Sequence, residues 1–193
     1  EKNVLISDLP VDESIGVVQH ANGKDWWVVV KGIGFAPPND CNIFYKFLVD
    51  EHGVALVDSQ HIGISACHMG NSTANITFSH DGNRMSFVHY LNNRIEVFQF
   101  NRCTGQLSDV KRVDSHFPLG KRGPYSAEFS PDNKLLYVSF VGEEGNEERL
   151  VQYRLDTSNI AASRKTVFEY DTTNMSFAQL KLAPDGKIYF PSF

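Results

Sequence analysis

Long apolar runs are missing from this sequence. The longest, Trp26 to Val30, is five residues, against about 20 for a helix that crosses a bilayer, so no helical membrane span is expected. A basic field is missing too. With 18 Lys+Arg against 23 Asp+Glu and a net charge of −5, nothing favours attachment to phosphate backbones or anionic lipid, and no nucleic-acid partner is expected. Cysteine is sparse: Cys41, Cys67 and Cys103 are separated by 26 and 36 residues, which excludes a CxxC metal knuckle or redox pair. They read as three small buried hydrophobes or, alternatively, as one bridge, Cys41–Cys67 or Cys67–Cys103, plus a free thiol. Seven histidines occur, yet no His-x-x-His or His-Glu-x-x-His spacing accompanies them, and no Gly-x-Ser-x-Gly elbow is present. The acidic stretch 142–148 lacks the ligand spacing of a calcium loop and reads as a solvated hairpin tip. No catalytic residue, metal or cofactor is therefore assigned. The chain opens at Glu1 without an initiator Met, basic stretch or apolar leader, the expectation for a processed or excised polypeptide.

What is present is a core-forming composition, 41% apolar and 12% aromatic with 21% charged residues over 193 positions, read as a single domain over 1–193. Helical periodicity is absent and β-branched or aromatic residues fill the apolar runs, so helix content should be low. A pattern recurs instead. Phe78-Ser79-His80-Asp81-Gly82-Asn83 followed by Met85-Ser86-Phe87-Val88 is echoed by Phe129-Ser130-Pro131-Asp132-Asn133-Lys134 and Leu135-Leu136-Tyr137-Val138. It returns in Leu182-Ala183-Pro184-Asp185-Gly186-Lys187 and, more weakly, in Gln19-His20-Ala21-Asn22-Gly23-Lys24. Aligning Gly23, Gly82, Asn133 and Gly186 gives spacings of 59, 51 and 53 residues.

Asp-Gly and Asp-Asn supply residues that tolerate positive φ, as a tight turn between antiparallel strands demands. Each copy is thus a hairpin corner. Downstream lie second strands, 43–50, 95–101 and 150–156, in which Tyr45/Phe47/Val49 alternate with period two. Another turn follows each. The unit is a four-stranded antiparallel meander of about fifty residues, the size of a propeller blade, whose sheets bury both faces against their neighbours. The architecture expected is all-β, a β-propeller with about three and a half blades: three units, a leading strand region Ile15–Val18, and a fourth unit cut after its second strand. Open edges and half-covered faces predict self-association, unless Asn3–Ser7 or another chain fills the gap.

The stretch 129–139, Ile95-Glu96-Val97-Phe98-Gln99-Phe100-Asn101 and the following Thr104-Gly105-Gln106-Leu107 resemble the WD40-like and lactonase-like propellers of bacteria. More narrowly, Lys24-Asp25-Trp26-Trp27-Val28-Val29, Asn42–Phe47 and Leu180–Tyr189 are similar to the propeller region of large secreted Bacteroidetes proteins, among them gliding-motility-associated and type IX-secreted surface proteins. That resemblance implies export, a cell-surface location and a recognition or spacer role. The function expected is a non-catalytic binding module for a protein or saccharide partner. The alternative is a lactonase-like propeller hydrolase acting on a small ester or lactone. Candidate ligand-binding residues follow from placement. Lys31, His68 and His89 are placed to face a central channel, as propeller enzymes use such groups. Arg122 belongs to one of two basic islands around Phe117–Leu119. Trp26 points away from its neighbour Trp27 on one strand and so either stacks on a ligand or packs on an adjoining blade.

Overall fold

A computed structural model describes residues 5–34, 41–65, 74–90, 94–114, 123–140, 148–170 and 179–190. The first sheet holds β1 (Val11–Gln19), β2 (Trp26–Gly32), β3 (Ile43–Asp50) and β4 (Gly53–His61) in that order. The second holds β5 (Ala74–Phe78), β6 (Arg84–His89), β7 (Arg94–Phe100) and β8 (Leu107–Asp114), and the third β9 (Pro124–Phe129), β10 (Leu135–Phe140), β11 (Glu148–Arg154) and β12 (Lys165–Tyr170). A two-stranded piece, β13 (Lys181–Leu182) with β14 (Ile188–Tyr189), follows. All pairings are antiparallel and sequential, so each sheet is a meander. The single helical element among the described residues is a short 3₁₀ turn at Ala161–Ser163. The leading segment Ile15–Val18 is part of β1, the inner strand of the first blade. Leu5 and Ile6 are exposed and outside any strand, so the described part of the 3–7 segment fills no gap.

The sheets stand side by side with β1, β5, β9 and β13 innermost: β5 lies against β1 and β9, and β9 against β13. This is the propeller arrangement expected from the repeat. Two cores result. Between blades one and two lie Trp27, Val29, Phe44, Met85, Phe87, Phe98 and Phe100. Between blades two and three lie Val88, Ile95, Val97, Phe129, Leu136, Val138 and Tyr153. Blade two contributes to both, because alternate residues of β6 point to opposite sides. At the inner edge Gly16 is a contact residue: a Cβ there would lie 2.3 Å from Ile76 Cγ2.

The four corners share one construction. Gly23, Gly82, Asn133 and Gly186 all have positive φ, between 58° and 77°, and each donates its N–H back to the residue three before it. Asp81, Asp132 and Asp185 each accept the N–H two residues on, and Asn22 does the same in the first corner. Ser79 and Ser130 bridge their turns, donating to the Asp at 2.6 Å and accepting the N–H of Arg84 or Leu135. The third corner uses Asn where the others use Gly for a tertiary reason. Asn133 Oδ1 accepts the backbone N–H of His80 at 2.9 Å, and its carbonyl accepts from Arg84 at 3.0 Å, tying corner three to corner two.

Two sequence readings change. Cys103 is a free, exposed thiol in the turn after β7, and Cys41 is disulfide-bonded, so the cysteines are not three buried hydrophobes and Cys103 is not in a bridge. Cys67 lies outside the described residues. Of the Asn-x-Ser/Thr sequences, Asn75 is buried and accepts the N–H of Ala127, which leaves it no room to carry a glycan.

Asn133→Gly retains the backbone conformation and removes only the bond to His80. It should cost about 1 kcal/mol in urea unfolding. Asn133→Ala adds left-handed strain and should cost about 1 kcal/mol more.

Candidate functional site

The inner strands frame a cleft of about 690 Å³ between β1, β5 and β13. Its apolar wall is Ile15, Val17 and Trp26, and its polar side includes His80, Gln179 and Lys181. Trp26 reaches it because β2 begins directly after the first corner and residues 26, 28 and 30 share one face while Trp27 and Val29 take the other. Trp27 is buried, its indole N–H donating to the Arg102 carbonyl at 2.8 Å. The Arg102 guanidinium in turn donates to the carbonyls of Gln19, His20 and Asp81. The floor of the cleft beneath Trp26 is thereby fixed to two corners.

The sequence-selected residues do not assemble into one site. Trp26 lines the cleft. Lys31 lies at the far end of β2, five residues and so about 17 Å away. It is buried, donates to the Gly32 carbonyl at 2.7 Å and stands 5.7 Å over the Phe44 ring. His89, at the end of β6, is buried too, 5.9 Å from Phe87, which packs edge-on to Phe44. Lys31 and His89 thus belong to the layer between blades one and two, and neither lines the cleft. His68 and Arg122 lie outside the described residues, as do Phe117–Leu119 and residues 142–147 of the acidic stretch. Among the described residues no group of three His, Cys, Asp or Glu could hold a metal ion.

Several buried charged residues escaped the sequence reading. Glu96 accepts the Ile64 N–H with both oxygens at 3.2 Å, and Glu128 accepts the N–H of Leu182 at 3.0 Å and of Phe129 at 3.1 Å. Burial pushes both carboxyls up, against the pull of those N–H groups and nearby cations. Asp12, buried near Lys31, is raised to about 6 by desolvation, and burial lowers Lys31 in spite of Asp12. Asp114 accepts the Tyr153 hydroxyl at 2.9 Å, and burial first, then Asp114, raises that phenol. Lys46 is fully buried, 2.8 Å from Asp58 and 3.0 Å from Gln60 Oε1. Gln60 goes on to exchange hydrogen bonds with the Leu107 backbone of blade two. The only trace of these groups in the sequence is a charge where strand alternation calls for an apolar residue, as at Lys46 and Glu96.

Inner strands are also joined through side chains at one repeated position. Asn75 of β5 accepts the N–H of Ala127 on β9, and Ser126 of β9 accepts the N–H of Leu180, which leads into β13. By the spacing of the corners, Asn75 and Ser126 are equivalent, and so are their donors.

No protein family's sequence profile matches the chain. No curated protein matches it. Among solved structures it is similar to a candidate 6-phosphogluconolactonase of Bacteroides fragilis, at 16% identity and a TM-score of 0.54, over 91% of this chain and 46% of that one. It is also similar to a candidate 6-phosphogluconolactonase of Bacteroides uniformis, at 17% and 0.53, over 92% and 46%. The periplasmic gluconolactonase PpgL of Pseudomonas aeruginosa follows at 16% and 0.53, over 90% and 45%. At such identities the likeness is one of fold: the chain has the β-propeller fold, and it spans about half the length of these structures.

Asp12 makes a pH prediction. Its folded pKa, about 6, lies above the unfolded 3.8, so the folded state holds a proton the unfolded chain has released, and stability is lost as pH rises between those values. The stability of Asp12→Asn relative to the parent should therefore grow from pH 4 to pH 7 (about 3 units) in urea titrations. Glu128→Gln keeps an acceptor for Leu182 and should shift in the same direction.

Proposed function

We propose that this chain is a non-catalytic interaction module of an exported or cell-surface bacterial protein, recognising a protein or saccharide partner at the cleft beside its inner strands. The observation that carries the reading is the contrast between that cleft and the chain's charged interior. The cleft offers a half-exposed indole with apolar neighbours and accessible His80, Gln179 and Lys181. Glu96, Glu128, Asp114 and Lys46, the buried groups chemistry would recruit, are engaged in hydrogen bonds that hold strands and blades together. Export is supported by the bonded Cys41, since disulfides persist in oxidising compartments. The periplasmic gluconolactonase with the same fold points the same way. Attachment to a gliding-motility-type surface apparatus rests on sequence resemblance.

A second reading is favoured by one observation. Three propellers of similar fold are described as gluconolactonases or 6-phosphogluconolactonases, and His80 and Asp81 stand beside a cleft of substrate size. Hydrolysis of gluconolactone and 6-phosphogluconolactone, followed by acid release, separates the two. Under the module reading the chain leaves the spontaneous rate unchanged. Acceleration that His80→Ala abolishes would establish the hydrolase and displace the module.

A further inference from the structure

We infer that the open face of blade one is an interface for a second copy of this chain, bound head to tail so that two copies share one ring. The inference rests on the module reading and names its partner. Positional equivalence identifies the face as one built for a blade. Val17 occupies the position of Ile76, Ala127 and Leu180 in the following blades, and Trp26 that of Met85 and Leu136. Those five residues are 5% exposed or less because a preceding blade covers them, whereas Val17 is 53% and Trp26 44% exposed. Val28 and Val30 extend the same face along β2, and Leu56 on β4 continues it outward. The apolar wall of the cleft is therefore half of a blade–blade contact.

The polar link between inner strands says what fits there. At each joined pair, a side chain of the earlier blade accepts the N–H of the later one, Asn75 from Ala127 and Ser126 from Leu180. On β1 the equivalent donor is Val17, whose N–H no side chain among the described residues accepts. At the other end of the chain the equivalent acceptor position is Gln179, exposed at the rim of the same cleft. The head of the chain thus carries the donor and its tail the acceptor. Tyr189, at the tail, is an exposed aromatic available to cover the apolar face. Length agrees: one copy spans 45–46% of each gluconolactonase-like propeller, so a second copy supplies about the missing half. A head-to-tail contact generates either a closed ring or an open filament, and this length selects closure at two.

Light scattering after size exclusion, across a wide concentration range, should give twice the 21.7 kDa chain mass. Trp26→Glu at the head and Tyr189→Glu at the tail, both exposed positions, should each give monomers with unchanged far-ultraviolet circular dichroism. Mixing the two variants should restore a dimer, since one head and one tail remain intact. Gln179→Ala should weaken association about three- to tenfold and Gln179→Glu, which keeps an acceptor, less. Failure of the mixture to associate would indicate a head-to-head contact and overturn the proposal, as would masses growing beyond two copies. A parent chain that is monomeric throughout overturns it and leaves the face to a blade of a longer polypeptide or to another ligand. Trp26 emission in that monomer then decides the parent reading: a response to cellohexaose retains the binding module, and none, together with lactone hydrolysis, removes it.

Discussion

A four-stranded sheet that is apolar on both faces cannot stand alone in water, and every larger feature of this protein follows from that constraint. Blade two shows it most completely. Met85, Phe87 and Phe98 face one neighbour while Val88, Ile95 and Val97 face the other. Burying a side chain of this size is worth about 1.5–3 kcal/mol, a gain available only when a sheet has company on each side. The radial arrangement is the way short sheets provide that company to one another.

Apolar packing of flat sheets is weakly directional, and a second set of contacts fixes their order and tilt. Arg102 holds corners one and two through three carbonyls, Asn133 holds corner two to corner three, and Asn75 and Ser126 fix one inner strand to the next. Further out, Lys46 and Gln60 link blade one to the backbone of blade two. These polar groups sit where water is excluded, so each lost partner leaves an unsatisfied atom. They position blades, and that use explains why so many buried titratable residues in this chain do not converge on a reactive centre.

The cleft follows from the same geometry. It lies where inner strands meet and where one sheet has a neighbour on only one side. Its wall of Ile15, Val17 and Trp26 is chemically a blade surface, and its rim of Gln179 and Lys181 belongs to the strand region that begins the next blade. Recognition and ring closure therefore draw on one surface, which makes the occupant of that surface the central functional question for this fold.

The hairpin corners and the strands that flank them were legible in the residues because their causes are local. Positive φ demands Gly or Asn within a few residues of an Asp, and period-two alternation exposes a strand regardless of what lies beyond it. The count of four corners in turn carried the blade architecture. What remained illegible depends on registers between blades about fifty residues apart. Nothing local distinguishes Trp26, open to the cleft, from Met85 at the same position with a neighbour over it. Nothing local turns Lys31 and His89 inward between two sheets, or selects Asn133 for a bond to His80. The sequence determined that this chain forms four-stranded blades. Tertiary structure decided which faces are covered, which charges are buried and where a partner finds room, because those outcomes depend on the sheet alongside and not on the strand itself.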